Sequence, residues 1–333
     1  MNDIKSKSEQ YRKIRKAVFN EATISSNPDV HEANKLLLKD NITRVCRESN
    51  IDNYLGDSKE IRNKIWHLLW TRIRYSGIKA ATASKEIQDI TSIFDQYSDF
   101  TKSEWDIEIE YDKSAKKMVL KHGGNCIHHF LNRTGQFSDK QTVGNLVKLN
   151  KTVLLARAYN AHLLKSESPL DFVTSGANFD DVWKIHSHLQ AIGYTADITA
   201  LHFMMDLGLS VIKPDIVITR LFLNLGWLHD IIPELPHDLT AKDLVGKGAY
   251  RSKYDYMKPK IYKPVIDLSR KIVAATNSQE LKSDLGWVTG NPGREFDIFM
   301  VKFGQEPESH WGITKNLAKE PGEVRSNVGK RPL

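Results

Sequence analysis

Cysteine is nearly absent: the 333-residue chain has two, Cys46 and Cys126, with no C-x-x-C spacing. That is too few for a disulfide framework, a zinc finger or an iron–sulfur cluster, so a reduced, cytoplasmic interior is expected. Long hydrophobic runs are lacking as well. No window approaches the roughly 18 uninterrupted apolar residues of a membrane span. The opening MNDIKSKSEQYRKIRKAVFN is polar and basic, without the apolar core of a secretory signal. His128 and His129 have no third ligand at metal spacing, so neither a metal nor any other cofactor is expected. No internal repeat is visible.

What is present is length, a modest excess of positive charge and helical periodicity. A chain of 333 residues can bury a substantial core, as one large domain or as two lobes around a cleft. Its 48 Lys and Arg against 41 Asp and Glu give a net charge of +7, a balance that suits a polyanionic partner. Residues 1–50 form a basic segment with helical spacing, 51–304 a helical core, and 305–333 a loose tail rich in proline, glycine and charge. Within the core, Ile65, Leu68, Leu69 and Ile73, then Ile87, Ile90 and Ile93, predict two helices separated by a turn at Tyr75–Lys79. From Trp105 the period changes to two, with Ile107, Ile109 and Tyr111 against Asp106, Glu108 and Glu110. With Met118–Leu120 this predicts a β-hairpin closed by Gly123–Gly124. Further helices are expected over 145–164, 179–189, 196–207, from Asp215 onward, 264–275 and 295–303, with a capping box at Thr240–Asp243. The fold class is therefore mainly α, with an inserted hairpin near 101–125.

The stretch from Leu189 to Gly226 (LQAIGYTADITALHFMMDLGLSVIKPDIVITRLFLNLG) carries the chemistry. It runs as an apolar helix, a glycine turn, a second helix, a Pro-Asp turn and a third helix with arginine in its second turn. This arrangement resembles the helix-hairpin-helix superfamily of base-excision DNA glycosylases, known as HhH-GPD. The likeness is strongest over 182–228 and weaker over 61–94; the closing helix at 295–305 also fits, whereas 101–145 has no counterpart in the family.

The resemblance implies a two-lobed helical architecture, double-stranded DNA with a flipped modified base as partner, no membrane, and a monomer. Gly193, Tyr194, Thr195 and Ala196 would grip a phosphate, because a glycine turn feeding a helix leaves N–H groups pointing outward. Asp215 has two compatible roles: a cap for the helix that follows, and the carboxylate that stabilises positive charge growing on the sugar. The helix-end N–H groups stabilise negative charge at that position. Bifunctional members carry a lysine nucleophile at the start of the second helix; here Thr195, Asp197 and Ile198 occupy the candidate positions, which implies hydrolysis without strand-cutting lyase activity. Lys213 is expected to contact phosphate, and Arg220 either a phosphate or an acidic neighbour. Ser76, Gly77, Ile78 and Lys79 are candidates for a wedge beside the flipped base, or form a plain loop. Trp66, Trp70, Tyr75, Asp197 and His202 are base-pocket candidates by stacking or edge hydrogen bonds, though such aromatic and histidine side chains are more often core and Asp197 is at least as readily an exposed helix residue.

The expected activity is excision of a damaged or modified base, leaving an abasic site. Substrates extend from alkylated or oxidised purines in repair to bulky bases, such as glucosylated hydroxymethylcytosine in phage DNA, removed in defence. A non-catalytic helix-hairpin-helix DNA-binding module and an RNA-binding or structural helical protein are the competing readings.

Overall fold

The computed structural model describes residues 2–21, 28–75, 80–133, 142–165, 168–193, 197–245 and 253–304. The chain is mainly α. Helices α1 (Asn2–Glu21) and α2 (Pro28–Glu48) are followed by a short 3-10 turn, then α3 (Lys59–Tyr75) and α4 (Ala80–Phe94). Two more 3-10 turns lead to strands β1 (Ile107–Asp112) and β2 (Lys117–Gly123), then α5 (Asn125–Arg133), α6 (Thr142–Leu163) and the one-turn α7 (Asp171–Thr174). After these come α8 (Val182–Ala191), α9 (Asp197–Leu207), α10 (Ile216–Asn224) and α11 (Trp227–Ile231). The described chain closes with α12 (Pro259–Ala275), α13 (Ser278–Leu285) and α14 (Pro292–Gly304). Among the described residues no helix is long and apolar enough to cross a membrane.

Contacts divide the chain into two compact units, 51–203 and the combination of 1–50 with the part from Met204 on, the division falling within α9. Helices α1 and α2 therefore group with the chain from Met204 on.

Unit 51–203 is built on aromatic rings. Trp66 and Trp70, one turn apart and so on one face of α3, are fully buried. Trp66 stacks on Tyr159 of α6 at 6.0 Å, Trp70 meets Phe94 edge-on at 5.2 Å, and Phe94 stacks on Phe130 of α5 at 5.2 Å. Buried indole N–H groups need acceptors. That of Trp66 donates to the Phe94 carbonyl and that of Trp70 to Asp95 Oδ1 at 2.9 Å. A turn further along α3, the buried Arg74 guanidinium lies 5.0 Å from the centre of the Phe94 ring.

The hairpin forms as the period-two pattern predicts. Ile107 pairs with Gly123 and Asp112 with Lys117, with an irregularity between Glu108 and Ile109. Asp112 Oδ1 closes the turn by accepting the Ser114 and Ala115 N–H groups at 2.8 and 3.0 Å. The pattern placed Trp105 in the strand; it lies instead in a 3-10 turn just ahead of it, buried against Phe100.

The other unit is organised by a buried ion pair. Arg15 of α1 is fully inaccessible, and its Nε donates to Glu295 Oε1 of α14 at 2.6 Å. Its other nitrogens donate to the carbonyls of Leu281 and Trp287 at 2.8 Å each, while Glu295 Oε2 takes the Thr289 N–H at 3.0 Å. Helix α12 begins earlier than Pro264, the expected start: Pro259 takes the first turn, where a missing N–H costs nothing, and Pro264 lies inside the helix. Helix α14 ends on Gly304, where an added Cβ would stand 2.9 Å from Val217 Cγ1 and 3.3 Å from the Val217 carbonyl oxygen. The absence of a side chain there is what lets α14 lie against α10.

Breaking a buried pair by removing one partner leaves an uncompensated charge and costs about 3–5 kcal/mol. Glu295→Ala is therefore expected to lower the unfolding free energy by about that amount, and the double variant Arg15→Met with Glu295→Leu by clearly less. Urea unfolding of the three proteins checks this. A double variant as unstable as the single one would show that packing, not charge, governs the site.

Candidate functional site

The segment between α9 and α10 is extended because Pro214 disfavours helical backbone at Lys213. Val211, Ile212 and Pro214 are buried and pin it down. The Asp215 N–H donates to the Lys213 carbonyl at 2.7 Å across the proline, and Asp215 itself is extended, with φ −74° and ψ 179°. From there its Oδ1 accepts the N–H groups of Val217 at 2.9 Å and Ile218 at 3.1 Å, capping α10. Thr219 reinforces the first turn by donating both its N–H and its hydroxyl to the Asp215 carbonyl, at 3.0 and 2.9 Å. Asp215 is half-buried, and its Oδ2 takes no hydrogen bond among the described residues. One oxygen is committed to structure and the other is available.

Three residues that the sequence did not mark surround this turn. Asp297 of α14 is 5% exposed, and its Oδ1 accepts the Lys213 N–H at 3.2 Å. Its Oδ2 pairs with Arg294 at 3.2 Å, while Arg294 also approaches Asp206 of α9 at 3.6 Å and the Met205 sulfur at 3.0 Å. One guanidinium thus serves two buried carboxylates. Burial pushes the Asp297 carboxyl up to about 6; Arg294 opposes the shift and the neighbouring Asp215 carboxylate adds to it. The third residue is Tyr256, whose N–H donates to the Leu244 carbonyl at 3.0 Å; Leu244 lies in the 3-10 turn Asp243–Val245, which packs on α10. Its phenol is held above its usual range by burial first and then by the Asp215 charge. A carboxylate on the apolar face of EFDIFMVKFG was the one visible signal for Asp297. Nothing in the sequence pointed to Tyr256.

Of the capping box expected at Thr240–Asp243 only the carboxylate half forms, since the Asp243 N–H goes to the Thr240 carbonyl at 3.1 Å and not to the hydroxyl. Asp243 Oδ2 accepts both the Thr240 N–H at 2.9 Å and its hydroxyl at 2.6 Å.

In unit 51–203, Gly193 follows α8, exposed and at φ +92°, a backbone conformation that favours glycine. Asp197 opens α9, where its side chain accepts from Gln190 and its carbonyl from His186 at 3.2 Å. Tyr194, Thr195 and Ala196 lie outside the described residues, as do Ser76, Gly77, Ile78 and Lys79. Tyr75 is half-buried, with its hydroxyl 2.9 Å from Ser84 Oγ and Arg72 over its ring at 5.0 Å. His202 is half-buried on α9.

Two expectations are corrected. Trp66 and Trp70 do not line an open pocket: both are fully buried with their indole N–H groups already paired. For Arg220, expected at a phosphate or an acidic neighbour, burial disfavours the phosphate. The side chain is 4% exposed on the core side of α10, its Nη2 3.4 Å from the Gly304 carbonyl, because the second turn of α10 faces α14.

An N-cap oxygen stabilises a helix by about 1 kcal/mol, and asparagine caps nearly as well as aspartate. Asp215→Ala is expected to lose about that much stability and Asp215→Asn only a few tenths. Equal losses in urea unfolding would mean that the side-chain oxygen is not what caps α10.

Compared with protein-family models, curated proteins and solved structures, the chain matches none of them.

Proposed function

We propose that the chain is a monofunctional DNA glycosylase of the helix-hairpin-helix type, which flips a modified base from duplex DNA and hydrolyses its N-glycosidic bond. The observation that carries this reading is Asp215, fixed through one carboxylate oxygen at the start of α10 with the other taking no hydrogen bond among the described residues. Cleaving the bond from base to sugar builds positive charge on the sugar ring, and an anion held in place lowers that barrier without reorganising. A rigid cap supplies such an anion.

Other features agree with it. The net charge of +7 favours a phosphate backbone. A positive-φ glycine stands between α8 and α9, where the resemblance places the phosphate grip. An aspartate, not a lysine, opens α9, which agrees with hydrolysis without a Schiff-base step. The hairpin of β1 and β2, without counterpart in the family, is extra chain that favours a bulky substrate base. Glucosylated hydroxymethylcytosine, as found in phage DNA, is one such bulky base, and alkylated or oxidised purines are the ordinary alternatives.

The test is a panel of duplexes, each bearing one modified base, incubated with the protein and then heated in alkali. Strand cleavage is expected on at least one duplex only after alkali, and is expected to vanish with Asp215→Asn while DNA binding persists. Cleavage without alkali, or borohydride trapping of a covalent complex, would overturn the monofunctional assignment. Salt-dependent binding with no excision on any duplex would leave a helix-hairpin-helix binding module.

A further inference from the structure

We infer that Asp297 is the positioning residue of Asp215, holding the Lys213–Asp215 turn from α14 and adding its own negative charge beside the site. This rests on the glycosylase reading for its chemistry, but not for its geometry. Helix α10 is only nine residues long, and α14 packs along it. The turn that carries Asp215 is anchored to α14 through the amide of Lys213, two residues before the capping carboxylate. Arg294, three residues earlier on the same helix, takes the other oxygen of Asp297 and so prevents the carboxylate from rotating away.

The charged groups facing Asp297 come from several elements. Arg294 lies on α14, Lys213 and Asp215 on the turn, and Asp206 on α9 shares Arg294. Cys46 of α2 also senses Asp297, but burial holds its thiol at about 12, so it stays neutral. The positive charge of Arg294 is divided between two carboxylates, which leaves negative charge at the site when Asp297 is ionised.

Asp297 titrates at about 6, so it is charged above that pH and neutral below it. When charged it makes the stronger hydrogen bond to the Lys213 N–H and adds to the field that favours a cationic sugar. Excision is therefore expected to weaken as pH falls through about 6. Asp297→Asn keeps an acceptor for Lys213 but is permanently neutral, so it reproduces the low-pH state at every pH. Asp297→Ala removes both functions.

The experiment has two arms on the full chain. In the first, the 15N resonance of the Lys213 amide is followed from about pH 5 to 8, with no DNA present. A titration step near pH 6 is expected in the native protein and is expected to be missing in Asp297→Asn. In the second, single-turnover excision is measured across the same range. The order native, then Asp297→Asn, then Asp297→Ala is expected for the maximal single-turnover rate constant at pH 8, with losses on the order of 3- to 10-fold and 10- to 100-fold and the half-saturating protein concentration changed by less than about threefold. The native profile alone is expected to carry the limb near 6. A Lys213 amide blind to Asp297, or a limb that persists in Asp297→Asn, would overturn the inference while leaving the glycosylase reading intact. A titrating amide with no excision on any duplex would keep the positioning contact and remove the glycosylase reading. Should Asp297→Ala not fold, the amide titration and the Asp297→Asn profile decide.

Discussion

Buried charge on one helix sets the arrangement of the unit that carries Asp215. Within four consecutive positions α14 presents Arg294, Glu295 and Asp297, with Glu295 1% and Asp297 5% exposed. A carboxylate taken out of water costs several kcal/mol unless a partner and hydrogen bonds replace its hydration. Each therefore dictates where another element must be. Glu295 requires Arg15 of α1 and the amide of Thr289. Asp297 requires Arg294 and the amide of Lys213. Hydrophobic burial would tolerate α14 sliding or turning by a fraction of a residue; these pairs do not.

The consequence reaches Asp215 through α10. A nine-residue helix is marginal by itself, since nucleation is costly and few residues follow to repay it. Its position is imposed from α14 at two places. Near its start, Asp297 holds the preceding turn through Lys213. Further along, Gly304 lets α14 approach Val217 and Leu221, and Arg220 reaches back to the Gly304 carbonyl. A one-residue change of register in α14 would disturb both. The placement of the capping carboxylate is thus a property of helix packing and only secondarily of the Pro-Asp turn.

Local features were legible in the sequence because local physics decides them. The cap at Asp215, the alternation of Ile107, Ile109 and Tyr111, and the helices on either side of Gly193 all follow from patterns within a few residues. What was missed depends on contacts between residues far apart in the chain. Trp66 and Trp70 have the chemistry of a base pocket and of a core, and only Tyr159, Phe94 and Phe130 around them decide for the core. Arg220 suited a phosphate or an acidic neighbour equally by its position in the chain; the facing helix buries it. Asp297 sat in plain view on an apolar face, and an unpaired carboxylate there is so unfavourable that it implied a partner. The identity of that partner, an arginine three residues earlier and an amide 84 residues away in sequence, required the fold.

The charge distribution has a physical logic of its own on the glycosylase reading. The chain as a whole is positive, at +7, yet around Asp215 one arginine is shared between Asp206 and Asp297, so the carboxylates there outnumber the guanidinium that serves them. These two facts act over different distances. Attraction of a phosphate backbone works from outside, through exposed cations, and is screened beyond about 8–10 Å at physiological salt. The carboxylates beside α10 are half-buried or buried, where screening is weaker and their field reaches a neighbouring charge with less loss. Burial has a cost, visible in the Asp297 carboxyl pushed up to about 6, and a fold selected only for stability would have neutralised that second carboxylate. A site that must oppose positive charge for the instant it exists has reason to keep it.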